Sequence, residues 1–391
     1  MKPETFMLIA GEASGDLLAA ELVSALRPQC SILNPPSSPR FFGAGGTKMA
    51  AAGVELAFDL TKLSVVGFSD VLKNYFKFRR SFNQLFAQAI ERKPDAIIGV
   101  DFGGFNLRFG HAIKQYTREN PFSKWNPKIV QFVSPQVWAS RPRRAKLLEA
   151  DYDLLLSIFP FEKDWYAQRT PKLRVEFVGH PMVERFAKAE GRRPPAESLA
   201  DAPTILLLPG SRTSELKRHL PVMLDALELI QRKLPTSRAR MVLPNPALKK
   251  LADKLSAPPP DVEIQVGNLP EFLAQTDIAI ASTGTVTMEC AFFGVPAVTL
   301  YQTSWFNFEI AKRIVTVKWA AMPNILANEE VYPEFIQSAA TPENIAEAAL
   351  ALLENASRRQ KIKSQLAAIV SLLGSSGASE RAATAILSLF K

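Results

Sequence analysis

The chain has 391 residues, 47% of them hydrophobic, which is enough for two cores because single cores rarely grow beyond roughly 250 to 300 residues. Lys and Arg outnumber Asp and Glu by 47 to 38, and the net charge of +9 favours anionic partners such as nucleotides, phosphorylated lipids or acidic membrane surfaces. Two distant cysteines exclude a disulfide framework, three scattered histidines lack zinc spacing, and no apolar run approaches the roughly 18 residues of a membrane span.

In chain order, residues 6–10 read as a first strand, and five apolar residues are too few for the hydrophobic region of a signal peptide. A cytoplasmic protein is expected. The following "AGEASGD", 10–16, is a glycine-bearing turn that sets Glu12, Ser14, Gly15 and Asp16 ahead of a helix. It lacks G-x-G-x-x-G spacing, so two acids near a helix start suit sugar hydroxyls better than a dinucleotide, with capping as the other reading of Asp16. Residues 28–40 are proline-rich and read as a loop. Residues 60–86 set Phe68, Leu72, Tyr75 and Phe76 among Lys73, Lys77, Arg79 and Arg80, which describes a half-buried helix or a membrane-surface element. "IIGVDFGGFN", 97–106, reads as a buried parallel strand that delivers Asp101 to the sheet's carboxyl edge, with Asn106 just beyond; a capping role competes. Further strands are expected at 129–133, 154–158 and 175–178. Between the first two of these, "SPQVWASRPRR" offers Gln136, Trp138 and Arg141 as a stacking and hydrogen-bonding loop, or simply a packed tryptophan.

Residues 188–203 carry three prolines without apolar periodicity and read as a linker. A second βα series follows. "LLLPGSRTSE" places Gly210, Ser211 and Arg212 between a strand and a helix, where backbone N–H groups and a guanidinium suit phosphate. "DIAIASTGTVTMEC" repeats the arrangement with Ser282, Thr283, Gly284 and Thr285, then Glu289 one turn on, suited to a ribose diol. Two such loops favour a nucleotide diphosphate. Neither G-x-x-x-x-G-K-[ST] nor G-x-S-x-G occurs. The expected fold is α/β, two Rossmann-like domains facing a cleft, with no metal, no cofactor and no nucleic-acid partner.

"AGEASGD", "FFGAGG", "GVDFGGFN", "FVSPQVWAS", "FVGHP", "LLPGSR", "ASTGTVTMEC" and "MPNILA" occur in this order, and with them nearly the whole chain resembles lipid-A-disaccharide synthases. The resemblance implies a GT-B glycosyltransferase that moves diacylglucosamine from UDP-diacylglucosamine to the 6-hydroxyl of diacylglucosamine 1-phosphate with inversion. It implies an acceptor and lipid domain over 1–190, a UDP-sugar domain over 200–372, and a C-terminal helix, 373–391, packed back on the first domain. UDP would be held by Gly210, Ser211, Arg212, the 282–285 loop, Glu289 and Asn324. Ser14, Gly15, Asn106, Gln136 and Trp138 would meet the sugars. Phe68, Leu72, Tyr75 and Phe76 would touch the inner face of the cytoplasmic membrane, and the resemblance leaves room for a homodimer. Many family members carry a second acid where this chain has Gly104, so Asp101 stands as the general base, with Glu12 and Asp16 as competitors. The alternatives are another UDP-N-acetylglucosamine-using GT-B enzyme, of the peptidoglycan transferase or 2-epimerase type, and a non-catalytic nucleotide-sugar-binding membrane protein.

Overall fold

Two parallel sheets organise the computed structural model, which describes residues 3–33, 38–64, 68–187, 202–255, 259 and 262–391. The first contains β1 (Thr5–Ala10), β2 (Arg40–Gly45), β3 (Glu55–Asp59), β4 (Ala96–Val100), β5 (Lys128–Phe132), β6 (Leu154–Ser157) and β7 (Val175–Phe177), in the order β3-β2-β1-β4-β5-β6-β7. The second contains β8 (Thr204–Leu208), β9 (Arg238–Leu243), β10 (Val262–Val266), β11 (Ile278–Ser282), β12 (Ala297–Tyr301) and β13 (Glu334–Ile336), in the order β10-β9-β8-β11-β12-β13. Every pairing is parallel. Strands such as "AIIGV" and "IAIAS" are buried from end to end, as helices on both faces of a parallel sheet require.

In each sheet the strand order reverses beside its first strand, between β1 and β4 and between β8 and β11. Ala10 pairs with Val100, and Leu208 with Ala281, so the loops leaving each pair emerge together at the carboxyl edge. That reversal is where open α/β sheets form a ligand crevice.

The chain divides into two compact units, Met1–Glu184 with Leu373–Lys391, and Arg185–Leu372. The linker expected at 188–203 lies outside the described residues up to 201. In unit 1 the C-terminal helix Ala378–Leu387 buries Ala382, Ala383, Ala385 and Ile386 and packs against helix Ala13–Leu33, the small alanines allowing close approach. Thr384 Oγ1 donates to Gln29 Oε1 at 3.1 Å, and Arg381 Nε donates to the Val178 carbonyl at 2.8 Å.

One expectation needs correction. The loop read from residue 28 begins later, because helix Ala13–Leu33 runs through Pro28. Proline forfeits one helical N–H bond there, but Leu22, Val23, Leu26 and Cys30 keep a buried face on either side of it.

Helix Phe68–Arg92 also resolves part of an open choice. Its later turns place Leu85 and Ala89 in the core, and Phe82 meets the rings of Phe105 and Phe109 edge-on at 5.5 and 5.4 Å. That half is a packed amphipathic helix. Phe76 is 76% exposed, while the side chains of Phe68, Leu72 and Tyr75 lie outside the described residues. Among the described residues no helix is long and apolar enough to cross a membrane.

Candidate functional site

At the first sheet's reversal, β4 hands the chain to Asp101 and Phe102, which take φ of 52° and 44°. Left-handed backbone at two successive non-glycine residues costs roughly 1 to 3 kcal/mol each, so surrounding contacts must hold it. The buried amides of Asn106 and Gln131 do so, donating to the Asp101 carbonyl at 2.9 and 2.8 Å. Gln131 also donates to the carbonyl of Val133, itself left-handed at φ 67°, at 3.2 Å, so one amide braces the loops after β4 and β5. The Asp101 carboxylate accepts from Ser14 Oγ at 3.3 Å. Gly15 allows this approach: an added Cβ would lie 3.2 Å from the Val100 carbonyl oxygen and 3.4 Å from Asp101 Cβ. Ser14, Gly15, Asp101 and Asn106 are therefore brought together, with partly buried Glu12 in the same loop. Gly104 sits in helix Gly103–Glu119 with no atom within 4 Å of an added Cβ.

Asp16 and Trp138 turn away from this group. The buried Asp16 carboxylate accepts from the N–H groups of Gly46, Lys48 and Met49 at 2.8, 3.0 and 3.0 Å. It is a cap supplied from a distance to helix Thr47–Ala51, the capping alternative for Asp16, and these bonds occupy the carboxylate. Trp138 is buried and donates Nε1–H to Glu162 at 2.9 Å, the packed-tryptophan alternative rather than a sugar platform. Burial pushes the Glu162 carboxyl up to about 7 despite that bond. Gln136, next to it, remains exposed.

At the second sheet's reversal the two predicted phosphate loops differ. In the first, Glu215 folds back to accept from Ser211 N–H at 3.0 Å and Arg212 N–H at 3.2 Å, and it pairs with the Arg212 guanidinium at 3.1 Å. Only glycine fits at 210, where φ is 116° and an added Cβ would lie 2.6 Å from Glu215 Oε2. An internal carboxylate thus stands among the donors expected to take phosphate. His219 pins this loop from behind: its Nε2 accepts from Gln302 N–H at 2.9 Å, leaving Nδ1 to donate to the Pro209 carbonyl at 3.2 Å. Burial keeps His219 below the usual imidazole range, and so neutral.

The second loop is more open. Ser282 Oγ is buried without a hydrogen-bond partner among the described residues, and Thr283 N–H is used by the Leu300 carbonyl at 3.0 Å. Gly284, at φ 153° and ψ −160°, starts helix Thr285–Phe292 without a side-chain cap; it and Thr285 are exposed. Few residues besides glycine adopt that backbone. Thr287 N–H is turned back to the Gly284 carbonyl at 3.1 Å, and the exposed Gly284–Thr285 start of the helix is the part placed to meet an anion. Partly buried Glu289 follows one turn on, its carboxyl pushed up to about 7 by burial and drawn back down by Arg185.

Asn324 does not join either loop. Its Oδ1 accepts from Val331 N–H and Tyr332 N–H at 3.0 and 2.8 Å, and its Nδ2 donates to the Tyr332 carbonyl at 2.9 Å. Fully buried, Asn324 ties helix Met322–Ala327 to its following loop through these three bonds, so the structure gives it a bracing role. Gln131, Glu162 and Glu215 were missed. Each had a signal: a lone amide in an apolar strand, and two glutamates at the third position of a helix.

The family model for lipid-A-disaccharide synthetase matches residues 6–388. The chain belongs to the lipid-A-disaccharide synthase family. Members are glycosyltransferases of lipid A biosynthesis, and this chain is an enzyme of that kind. It is 33% identical over 391 residues to the lipid-A-disaccharide synthase of Myxococcus xanthus (strain DK1622), spanning 99% of this chain and 98% of that protein. It is 35% identical over 394 residues to that of Trichlorobacter lovleyi (strain ATCC BAA-1151 / DSM 17278 / SZ), spanning 99% and 98%. Among solved structures, UDP-GlcNAc 2-epimerase from Neisseria meningitidis, bound to UDP-GlcNAc, matches with a TM-score of 0.58 over 99% of this chain and 100% of that one. At 13% identity that likeness is one of fold, the GT-B pairing of Rossmann-like units.

Proposed function

We propose that the enzyme transfers 2,3-diacylglucosamine from UDP to the 6-hydroxyl of 2,3-diacylglucosamine 1-phosphate, forming the β(1→6) disaccharide and releasing UDP. Unit 1 holds the acceptor and unit 2 the UDP-sugar. Asp101 takes the proton of the 6-hydroxyl, whose oxygen attacks the anomeric carbon from the face opposite UDP. The bond from that carbon to the diphosphate oxygen breaks, its electron pair stays with UDP, and the configuration inverts. The N–H groups starting helix Thr285–Phe292, together with Arg212, stabilise the charge growing on the diphosphate, and Glu289 accepts from the ribose hydroxyls. The observation that carries this reading is Asp101 itself, a carboxylate held at a sheet reversal on strained backbone braced by two buried amides.

Lipid substrates bring the enzyme to the inner face of the cytoplasmic membrane as a peripheral protein. Exposed Phe76 supports this, as does helix Trp305–Ile314, where Trp305 and Phe306 are 73% and 66% exposed beside Lys312 and Arg313. The test is incubation with UDP-diacylglucosamine and the monosaccharide phosphate in detergent micelles. UDP and disaccharide should appear in equal amounts; UDP without disaccharide, or neither, overturns the reading.

A further inference from the structure

Basic residues of helix Gly103–Glu119 and of the 134–144 loop differ in whether a carboxylate answers them. On helix Gly103–Glu119, Lys114 pairs with Asp153 at 3.0 Å and Arg118 with Asp151 at 3.2 Å. Nearer Asp101 on the same helix, Arg108 has no ion-pair partner among the described residues, and neither have Arg141 and Arg144 of the 134–144 loop. Helix and loop meet at the helix start, where a side chain at Gly103 would reach Pro135 Cβ at 3.0 Å. The turn Pro142–Arg144 closes with Arg144 N–H donating to the Arg141 carbonyl at 2.9 Å. Arg144 lies within electrostatic reach of the other two: partly buried, it is lowered from the usual guanidinium range by burial first, then by Arg141 and Arg108. Gathering like charges without a counter-ion is unfavourable, and a bound anion removes the penalty. Guanidinium groups also grip phosphate oxygens bidentately.

We infer that Arg108, Arg141 and Arg144 form a binding site for a phosphate monoester, which on the proposed function, on which this inference rests, is the 1-phosphate of the acceptor. The site lies on the helix that leaves the Asp101 loop, so unit 1 would hold both the acceptor's anionic end and its reacting hydroxyl. An anionic phospholipid offers related chemistry as a phosphodiester, and the arms of the test separate the two.

Acceptor and donor KM would be measured for Arg141→Ala, Arg144→Ala and Arg108→Ala, with unphosphorylated diacylglucosamine as a second acceptor. Acceptor KM should rise on the order of tenfold per arginine, as expected for a lost charge-assisted contact, while donor KM and calorimetric UDP affinity hold. The preference for phosphorylated over unphosphorylated acceptor should shrink in step, a change that general damage to the fold does not produce. An unchanged preference overturns the inference. So does a loss of binding to phosphatidylglycerol vesicles with the preference intact, which gives the arginines to a lipid head group. Calorimetry with glucosamine 1-phosphate judges the site without turnover. If the wild type makes no disaccharide, the functional reading fails, yet weaker sugar phosphate binding in the variants still supports the site and unchanged binding removes it.

Discussion

Asp101→Gly separates a catalytic carboxylate from a structural one. With φ of 52°, Asp101 sits where an L residue costs roughly 1 to 2 kcal/mol. Glycine adopts that conformation freely but adds about 0.5 to 1 kcal/mol of unfolded-state entropy. Losing the 3.3 Å contact with Ser14 removes at most about 1 kcal/mol more. These terms offset to within about 1 kcal/mol, so the melting temperature should move by no more than roughly 2 to 4 °C. Turnover should fall by roughly 10² to 10⁴, the usual worth of a positioned base. Asp101→Asn, which keeps the shape and tolerates left-handed backbone, should match that rate with a still smaller thermal shift. UDP calorimetry on both variants should be unchanged. Near-normal kcat in either variant refutes the assignment. A loss of more than about 3 kcal/mol in stability, with kcat falling only as far as the folded fraction does, would make the carboxylate a structural prop. Gly104→Asp in the Asp101→Asn background is the complement. Position 104 is helical, has no positive φ and has open space for a side chain, so an acid fits there without strain. Partial recovery of turnover would put the reacting hydroxyl within reach of this loop.

Asp16→Ala should leave the N–H groups of Gly46, Lys48 and Met49 unpaired and cost roughly 3 kcal/mol or more. Its kcat per folded molecule should hold, and a selective loss of kcat at unchanged melting temperature would return Asp16 to the chemistry. For Glu289, burial raises the folded-state pKa from 4.5 to about 7. The folded protein then keeps a proton that the unfolded chain has released, so this group's contribution to stability falls as pH rises from about 4.5 through 7. If the Glu289 carboxylate accepts from the ribose hydroxyls, uridine affinity should climb as pH passes about 7; a flat wild-type profile, or the same slope in Glu289→Gln, argues against ribose contact. Phe76→Ser and Trp305→Ser should weaken partition onto anionic vesicles with little thermal shift, since both side chains are exposed. Undiminished vesicle binding in both would remove the membrane role of these side chains.

The strands were legible because burial on both faces of a parallel sheet leaves short Val, Ile and Leu runs that end abruptly. The strand expected to deliver Asp101 is Ala96–Val100, which ends just before it, and the one expected at 129–133 differs from Lys128–Phe132 by one place. Helix ends were less legible. Pro28 reads as a breaker in isolation, but the buried residues around it outweigh one missing N–H bond.

The site was legible by position and not by occupancy. Sequence places Glu12, Asp16, Asp101, Arg212 and the 282–285 loop at strand ends, and strand ends at a sheet reversal gather ligand-facing groups. Whether a given carboxylate or N–H is available there depends on partners distant in sequence. Asp16 is consumed by N–H groups thirty and more residues away, and Asn324 by its following loop. Glu215 is close in sequence, yet only the folded loop shows it filling the donors around Arg212. The same contrast ranks the two nucleotide loops. At 282–285 the hydroxyl of Ser282 is buried and unpartnered and the helix start has no side-chain cap, so an anion gains contacts there without displacing any. At 210–212 it must first displace a carboxylate already paired with Arg212, so on the proposed function the 282–285 loop would carry the principal hold on the diphosphate. On that reading Arg212 would gain a phosphate contact only as it gives up Glu215, and Arg212→Ala should cost less UDP affinity than the loss of an unpaired guanidinium.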